Sequence, residues 1–163
     1  FVKVSLDTVE TTATVMFIVA AASIFGWMLT ATGVTAALAQ WVLGFTKEAW
    51  VFLLLANLLM LFVGCFLEPT AAITILVPLL LPIATQLGVD PVHFGLVMVL
   101  NLMIGLLHPP MGMVLFVLAR VAKLSVERTT MAILPWLFPL LASLIILTYV
   151  PQIGLWLPKV MGF

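Results

Sequence analysis

The chain contains long apolar stretches without any charged residue, and these constrain its fold more than any other feature. They cover residues 11–46, 50–67, 69–89, 91–119 and 129–158. A helix needs about 20 consecutive apolar residues to cross a bilayer. Only 7% of the residues are charged, whereas a soluble domain carries about 25%. Lipid is therefore expected to surround most of the chain, and its balanced charge offers no basic surface for nucleic acid.

These stretches predict helices. In hydrocarbon every backbone N–H and C=O group must be satisfied within the protein, which leaves helices or closed barrels. A barrel would show alternating polarity over segments of about 10 residues, and these stretches are continuous. We predict an all-α integral membrane protein with a single membrane domain over 1–163. Its spans are expected near 14–37, 93–119 and 131–150, with two shorter helical legs near 49–66 and 70–87.

The charged segments between the stretches predict helix ends and orientation. Asp90 is expected to cap a helix with Pro91 in its first position, after a helix-ending Gly88. Thr46 is a candidate N-cap for the first leg. The polar opening, Lys3–Glu10, is expected to be a cytoplasmic loop after earlier membrane segments, because the chain begins without Met. Placing this opening segment in the cytoplasm gives an orientation that agrees with the positive-inside rule.

The first interruption of the apolar pattern is Gly64–Ala72, between the two legs. Each leg offers about 26 Å of helix, which is marginal for a hydrocarbon core of about 30 Å. Pro69 cannot donate a backbone hydrogen bond. The segment therefore predicts a turn that presents free carbonyls, the Glu68 carboxylate and the Thr70 hydroxyl.

The second interruption is Gly105–Gly112, which contains His108, Pro109 and Pro110. Consecutive prolines cannot continue a regular helix, and they cannot bond the carbonyls of Gly105 and Leu106. At membrane depth such backbone is tolerated only when it is buried in protein or lines a wet cavity. Freed carbonyls can coordinate a cation, and a half-helix N-terminus can face an anion. The two interruptions predict a transporter's binding site, and the alternative is a kinked helix with an ordinary loop.

Polar residues near these interruptions have both a structural and a functional interpretation. Asn57 is expected to bond between helices, and His93 is expected to lie at the membrane interface. Asn101 fits either an interhelical bond or the site. Three residues either cap and bond their own helix or line the site: Glu68, Thr70 and Thr74.

Several motifs in order resemble the large membrane subunit of the tripartite ATP-independent periplasmic (TRAP) transporters, the DctM-like family. The opening segment from Thr11 to Trp27 also resembles the start of that family's second half. The resemblance extends over essentially the whole chain. The motifs are Gly64–Ile73, Pro78–Ala84, Leu87–Gly95, Asn101–Val117 and Ile133–Trp136.

The resemblance implies the C-terminal half of an inverted-repeat, elevator-type transporter in the bacterial inner membrane. It implies four parts: a loop and first span over 1–48, a re-entrant hairpin over 49–87, a discontinuous helix over 93–119 and a last span over 131–150. Such transporters import organic acids, often C4-dicarboxylates or sugar acids, with Na⁺ as the coupling ion and no other cofactor. The implied partners are a periplasmic solute-binding protein, a small four-helix membrane subunit and the N-terminal half of the same subunit.

The resemblance also assigns the two interruptions to an ion and substrate site. The Na⁺ candidates are Gly64, Thr70, Gly105 and Leu106. The wider set for ion or substrate adds Glu68, Pro69, Asn101, His108, Pro109, Pro110 and Gly112.

One residue departs from the family pattern. His108 stands where the family often has Thr, and imidazole is a poor ligand for a hard cation, which prefers oxygen. Backbone carbonyls can serve instead, or His108 faces substrate or another helix, or it takes part in proton coupling. Other Na⁺- or H⁺-coupled anion transporters of this architecture and a non-transporting assembly subunit are the alternatives. A further alternative is an intramembrane enzyme that uses Glu68 and His108. The sequence contains no motif such as HExxH or GxSxG, which argues against it.

Overall fold

The regular structure is entirely α-helical over residues 2–108 and 112–162, which are the residues that the computed structural model describes. Among these residues, α4 and α7 are each long and apolar enough to cross a membrane. The pair 36–45 and 49–64, bent by 120°, makes a third span if it is counted as one. The helices are α1 (Val2–Ala31), α2 (Val34–Phe45), α3 (Ala49–Gly64), α4 (Pro69–Gln86), α5 (Pro91–Gly105), α6 (Met113–Ala122), α7 (Val126–Tyr149) and α8 (Pro151–Val160).

The beginning of the chain differs from the prediction. Lys3–Glu10, expected to be a loop, is the first part of α1. No Gly or Pro interrupts it, and Lys3 and Asp7 stand one turn apart, a spacing that supports a helix. The span expected over 14–37 is also wrong at its end, because α1 ends at Ala31 and the chain turns at Gly33, which has a φ of +71°. Only glycine adopts that left-handed conformation readily.

The hairpin forms where the sequence predicted its two legs. α3 and α4 are joined by the short turn 65–68. Thr46 is not the N-cap of α3, as was predicted, because that position belongs to Glu48. The Thr46 hydroxyl instead accepts a bond from the Glu48 N–H at 3.1 Å, and so stabilises the turn before the helix.

The interruption predicted within 93–119 is present between α5 and α6. At the other end of α5, Asp90 is the N-cap and its carboxylate accepts from the N–H groups of Val92 and His93. Pro91 takes the first helical position and Gly88 has a φ of +80°. All three predictions for this loop are confirmed. Pro109 and Pro110 lie outside the described residues.

The core lies around α5, which contacts α3, α4, α7 and α8. Side chains such as Phe94, Val97 and Leu102 on α5 are fully buried. His93, expected at the membrane interface, is also buried, at 2% exposure. The C-terminal end of α7 covers the ring, and the Thr148 carbonyl lies 3.1 Å from its Nε2, so the imidazole faces protein.

Candidate functional site

The two predicted interruptions lie against each other. Gly64 is the last residue of α3 and Gly105 is the last residue of α5. A Cβ placed on Gly105 would lie 2.8 Å from both the Cα and the carbonyl carbon of Gly64. A Cβ on Gly64 would lie 3.2 Å from the Gly105 Cα. The two backbones therefore touch with no side chain between them, which requires glycine at position 105 and leaves little space for a Cβ at position 64.

The turn after Gly64 closes with short local bonds. The Phe66 N–H donates to the Val63 carbonyl at 3.0 Å, and the Leu67 N–H donates to the same oxygen at 2.9 Å. The chain then enters α4 through Glu68 and Pro69, with Pro69 in the first turn. The interruption is thus a compact turn whose backbone lies beside the end of α5.

Glu68 caps the second leg. Its carboxylate accepts a bond from the Ala71 N–H at 3.1 Å and one from the Thr70 hydroxyl at 2.7 Å. The Thr74 hydroxyl donates to the Thr70 carbonyl at 2.6 Å. The structural interpretation of these three side chains is therefore realised in this structure. Glu68 and Thr70 remain exposed at the hairpin turn, so both oxygen groups are accessible beside the glycine contact.

The interruption after Gly105 is equally compact. The His108 N–H donates to the Gly105 carbonyl at 3.0 Å, and the Gly112 N–H donates to the His108 carbonyl at 3.2 Å. A Cβ on Gly112 would collide with the Leu106 carbonyl oxygen and would lie 2.9 Å from the His108 carbonyl oxygen. Two backbone oxygens therefore crowd the Gly112 Cα immediately before α6 begins, and only glycine fits there.

One side-chain contact joins the two interruptions. The Cys65 Sγ lies 3.7 Å from the His108 Nδ1, and the same sulfur donates to the Leu61 carbonyl at 3.2 Å. No function was predicted for Cys65, whereas three roles were left open for His108. No local sequence pattern pairs the two residues, because their contact depends on how α3 packs against α5.

Below the glycine contact, α3, α5 and α7 share buried polar side chains. Asn101 lies on α5 one turn before Gly105 and donates through Nδ2 to the Asn57 Oδ1 at 2.6 Å. Asn57 in turn donates to the Thr148 hydroxyl at 3.0 Å. The interhelical role predicted for Asn57 is confirmed, and Asn101 has the same role. Thr148 was not identified from the sequence, because a lone Thr near a helix end carries no signal.

The predicted site residues thus fall into three groups. The structure brings Gly64, Gly105, Leu106, His108 and Gly112 to one place. Glu68, Pro69 and Thr70 form the start of α4 at the same turn, and Asn101 lies one turn below.

Backbone carbonyl and hydroxyl oxygens dominate this region, and such oxygens are the ligands that hard cations prefer. Among the described residues, no cluster of three or more His, Cys, Asp or Glu side chains could hold a metal ion.

Comparison with known proteins gives one family. The model described as "Tripartite ATP-independent periplasmic transporter, DctM component" matches residues 1–153. The chain is 44% identical to a C4-dicarboxylate TRAP transporter large permease protein of Pseudomonas aeruginosa, over 98% of this chain and 38% of the relative. It is 43% identical to a sialic acid TRAP transporter large permease protein of Vibrio cholerae, over 98% of this chain and 37% of the relative. The chain therefore spans less than two-fifths of the length of these relatives.

Proposed function

Because the chain belongs to the DctM family of tripartite ATP-independent periplasmic transporters, we propose that it forms part of the transport path of a Na⁺-coupled importer of organic anions. The observation that carries this proposal is the contact between Gly64 and Gly105. It joins the hairpin turn to the interruption of the next helix, so backbone oxygens from both segments can converge on one cation. Discontinuous helices of this kind form ion and substrate sites in secondary transporters.

The proposed site uses backbone more than side chains. The Na⁺ candidates are the carbonyls of Gly64, Gly105 and Leu106, with the Thr70 hydroxyl at the hairpin turn. Carbonyl ligation does not need the hydroxyl that the family often has at position 108. The carboxyl group of an organic anion would bind next to the cation and to the N-terminal end of α6.

The substrate class comes from the relatives. One is named for C4-dicarboxylates and another for sialic acid, and all of these are carboxylates. We propose that a periplasmic solute-binding protein delivers a substrate of this class and that a small four-helix membrane subunit supports the permease. The N-terminal half of the subunit would supply the remaining contacts to substrate.

A multi-pass location in the bacterial inner membrane agrees with the surface of the chain. Large apolar side chains point outward, among them Phe62, Trp136 and Phe138, which are 66%, 71% and 79% exposed. A soluble protein rarely exposes so many contiguous apolar groups. Lipid, the small subunit and the N-terminal half would cover these faces.

We propose that α3, α4 and α5 move together as an elevator body with a re-entrant hairpin. The three helices share one hydrophobic core. α1 packs along α4 and leads into α2, which lies at a sharp angle to α3. α1 and α2 would therefore connect the moving body to a fixed scaffold.

Uptake by the intact complex, with Na⁺ and pH varied independently, tests this proposal. We expect uptake of a dicarboxylate or sugar acid to require inward-directed Na⁺ at constant pH. Uptake that persists without Na⁺ and vanishes when the proton gradient is collapsed would contradict it. That result would favour proton coupling, for which His108 at the junction of the two interruptions is the candidate group.

A further inference from the structure

The buried polar side chains below the glycine contact form a chain with one direction. The Thr148 hydroxyl donates to the Leu144 carbonyl at 2.7 Å, so it must accept from Asn57. The Asn57 amide therefore presents Nδ2 to Thr148 and Oδ1 to α5. Asn101 must in turn present Nδ2, and it donates to both the Oδ1 and the carbonyl oxygen of Asn57, at 2.6 and 3.1 Å.

This directionality permits only one orientation of each amide. Rotating either amide by 180° would place oxygen against oxygen or nitrogen against nitrogen, so the network itself assigns the atoms. The Asn101 Oδ1 is left buried without a hydrogen-bond partner among the described residues. A buried acceptor without a partner is unfavourable. An apolar pair at these positions would avoid this cost, so stability alone does not account for the two asparagines.

The amide pair lies between two other contacts of the same helices. Phe52 and Phe94 stack at one end of α3 and α5, with ring centroids 6.1 Å apart. Gly64 and Gly105 touch at the other end. The three contacts follow the same order along both helices, so α3 and α5 run in the same direction. Apolar stacking tolerates a small axial slide, whereas a directional buried amide bond selects one register.

We propose that Asn57 and Asn101 are positioning residues, which fix the axial register of α3 against α5 and so hold Gly64 against Gly105. This inference rests on the proposed function, because the register matters through the cation site at that contact. Asn101 is one helical turn from Gly105 and Asn57 is two turns from Gly64. A slide at the amide pair is therefore transmitted directly to the two glycines.

Three variants of the complete transporter test the proposal: Asn57→Leu, Asn101→Leu and the double variant. Each single change leaves a buried partner unpaired and lowers thermal stability, whereas the double change removes both partners and restores much of it. The Na⁺ concentration for half-maximal uptake should rise about tenfold in all three variants. A change of this size lies within the range of interaction free energies between contacting residues of one network. Recovery of both stability and Na⁺ response in the double variant would show a structural role only and would overturn the proposal.

Thr129→Val is the matched control. It also replaces a buried polar group with an apolar one of the same shape, but within the part of the chain that the structure describes its hydroxyl bonds only to the Ser125 carbonyl at the start of its own helix. We expect the Na⁺ response of this variant to equal that of the unaltered protein.

A second measurement reports the register without transport. His108→Cys places a second thiol next to the native Cys65, which lies 3.7 Å from the His108 ring nitrogen. Oxidation of the complete transporter in membranes should cross-link the pair quickly, and several-fold more slowly when both asparagines are Leu. Equal rates in the two backgrounds, or no cross-link in either, would overturn the inference. Uptake by the unaltered protein that does not depend on Na⁺ would contradict the proposed function alone. The cross-linking rates would still test the register of α3 against α5.

Discussion

Gly105→Ala is the perturbation that the structure defines most sharply. The added methyl carbon would lie 2.8 Å from two backbone atoms of Gly64 and 3.2 Å from the Gly64 carbonyl oxygen. Ordinary contacts of a Cβ begin at 3.4 Å, so the two helices must separate by the difference, about 0.6 Å. Backbone cannot rotate away as the end of a flexible side chain can. The methyl group therefore acts directly on the distance between the two interruptions.

The size of the effect follows from two opposing terms. Overpacking of a tight contact costs about 1–3 kcal/mol, and alanine in place of glycine favours a helix by about 1 kcal/mol. The stability of the folded protein should therefore change little. Na⁺ binding depends on the close contact between the two glycines. If the full packing cost is subtracted from the free energy of Na⁺ binding, the affinity should weaken by about 5- to 150-fold.

The assay is Na⁺-dependent uptake by the complete transporter, with thermal unfolding of the same preparations. Gly95→Ala is the matched control, because Gly95 lies on the same helix and a Cβ there meets nothing within 4 Å. We expect Gly95→Ala to leave uptake unchanged. Gly64→Ala should have a smaller effect than Gly105→Ala, since its nearest contact is 3.2 Å. Equal Na⁺ affinity in Gly105→Ala and Gly95→Ala would refute the reasoning.

Three further substitutions give distinct outcomes. Gly112→Ala should abolish uptake, measured in vesicles with normal amounts of protein, because its methyl group would collide with the Leu106 carbonyl oxygen. Asp90→Ala should destabilise the complex by about 1 kcal/mol in thermal unfolding. Asp90→Asn should destabilise it much less, since Asn also accepts from the N–H groups of the first turn. Equal losses of stability in the two variants would contradict the role of Asp90 as the N-cap of α5. Glu68→Gln should preserve both the cap of α4 and the Na⁺ affinity. A large loss of Na⁺ affinity in this variant, with unchanged stability, would instead place the carboxylate charge in the ion site.

The sequence predicted the helical legs and the interruptions because both depend on local chemistry. Proline without an N–H, glycine at a positive φ and an Asp-Pro helix start act on the backbone within a few residues. The ends of α3, α4 and α5 were therefore close to their predicted places. The beginning of α1 was wrong because polarity was taken as a sign of a loop, although nothing in Lys3–Glu10 prevents a helix.

The contacts between helices were harder to predict. The position of His93 near the end of its span suggested the membrane interface, but nothing in the sequence showed that α7 ends over the ring and buries it. The partner of Asn57 could not be named, since Asn101 and Thr148 are 44 and 91 residues away in the chain. The contact between Cys65 and His108 likewise depends on the packing of α3 against α5 and not on any local pattern.

The central claim is that the backbone at Gly64–Thr70 and Gly105–Gly112 binds the coupling cation. A structure of the complete permease with Tl⁺ in place of Na⁺ tests it most directly, because the heavy ion can be located by its anomalous scattering. We predict an ion between the two segments, bound by carbonyl oxygens from both. Ions found only elsewhere in the protein, with the two segments unoccupied at saturating Tl⁺, would contradict it.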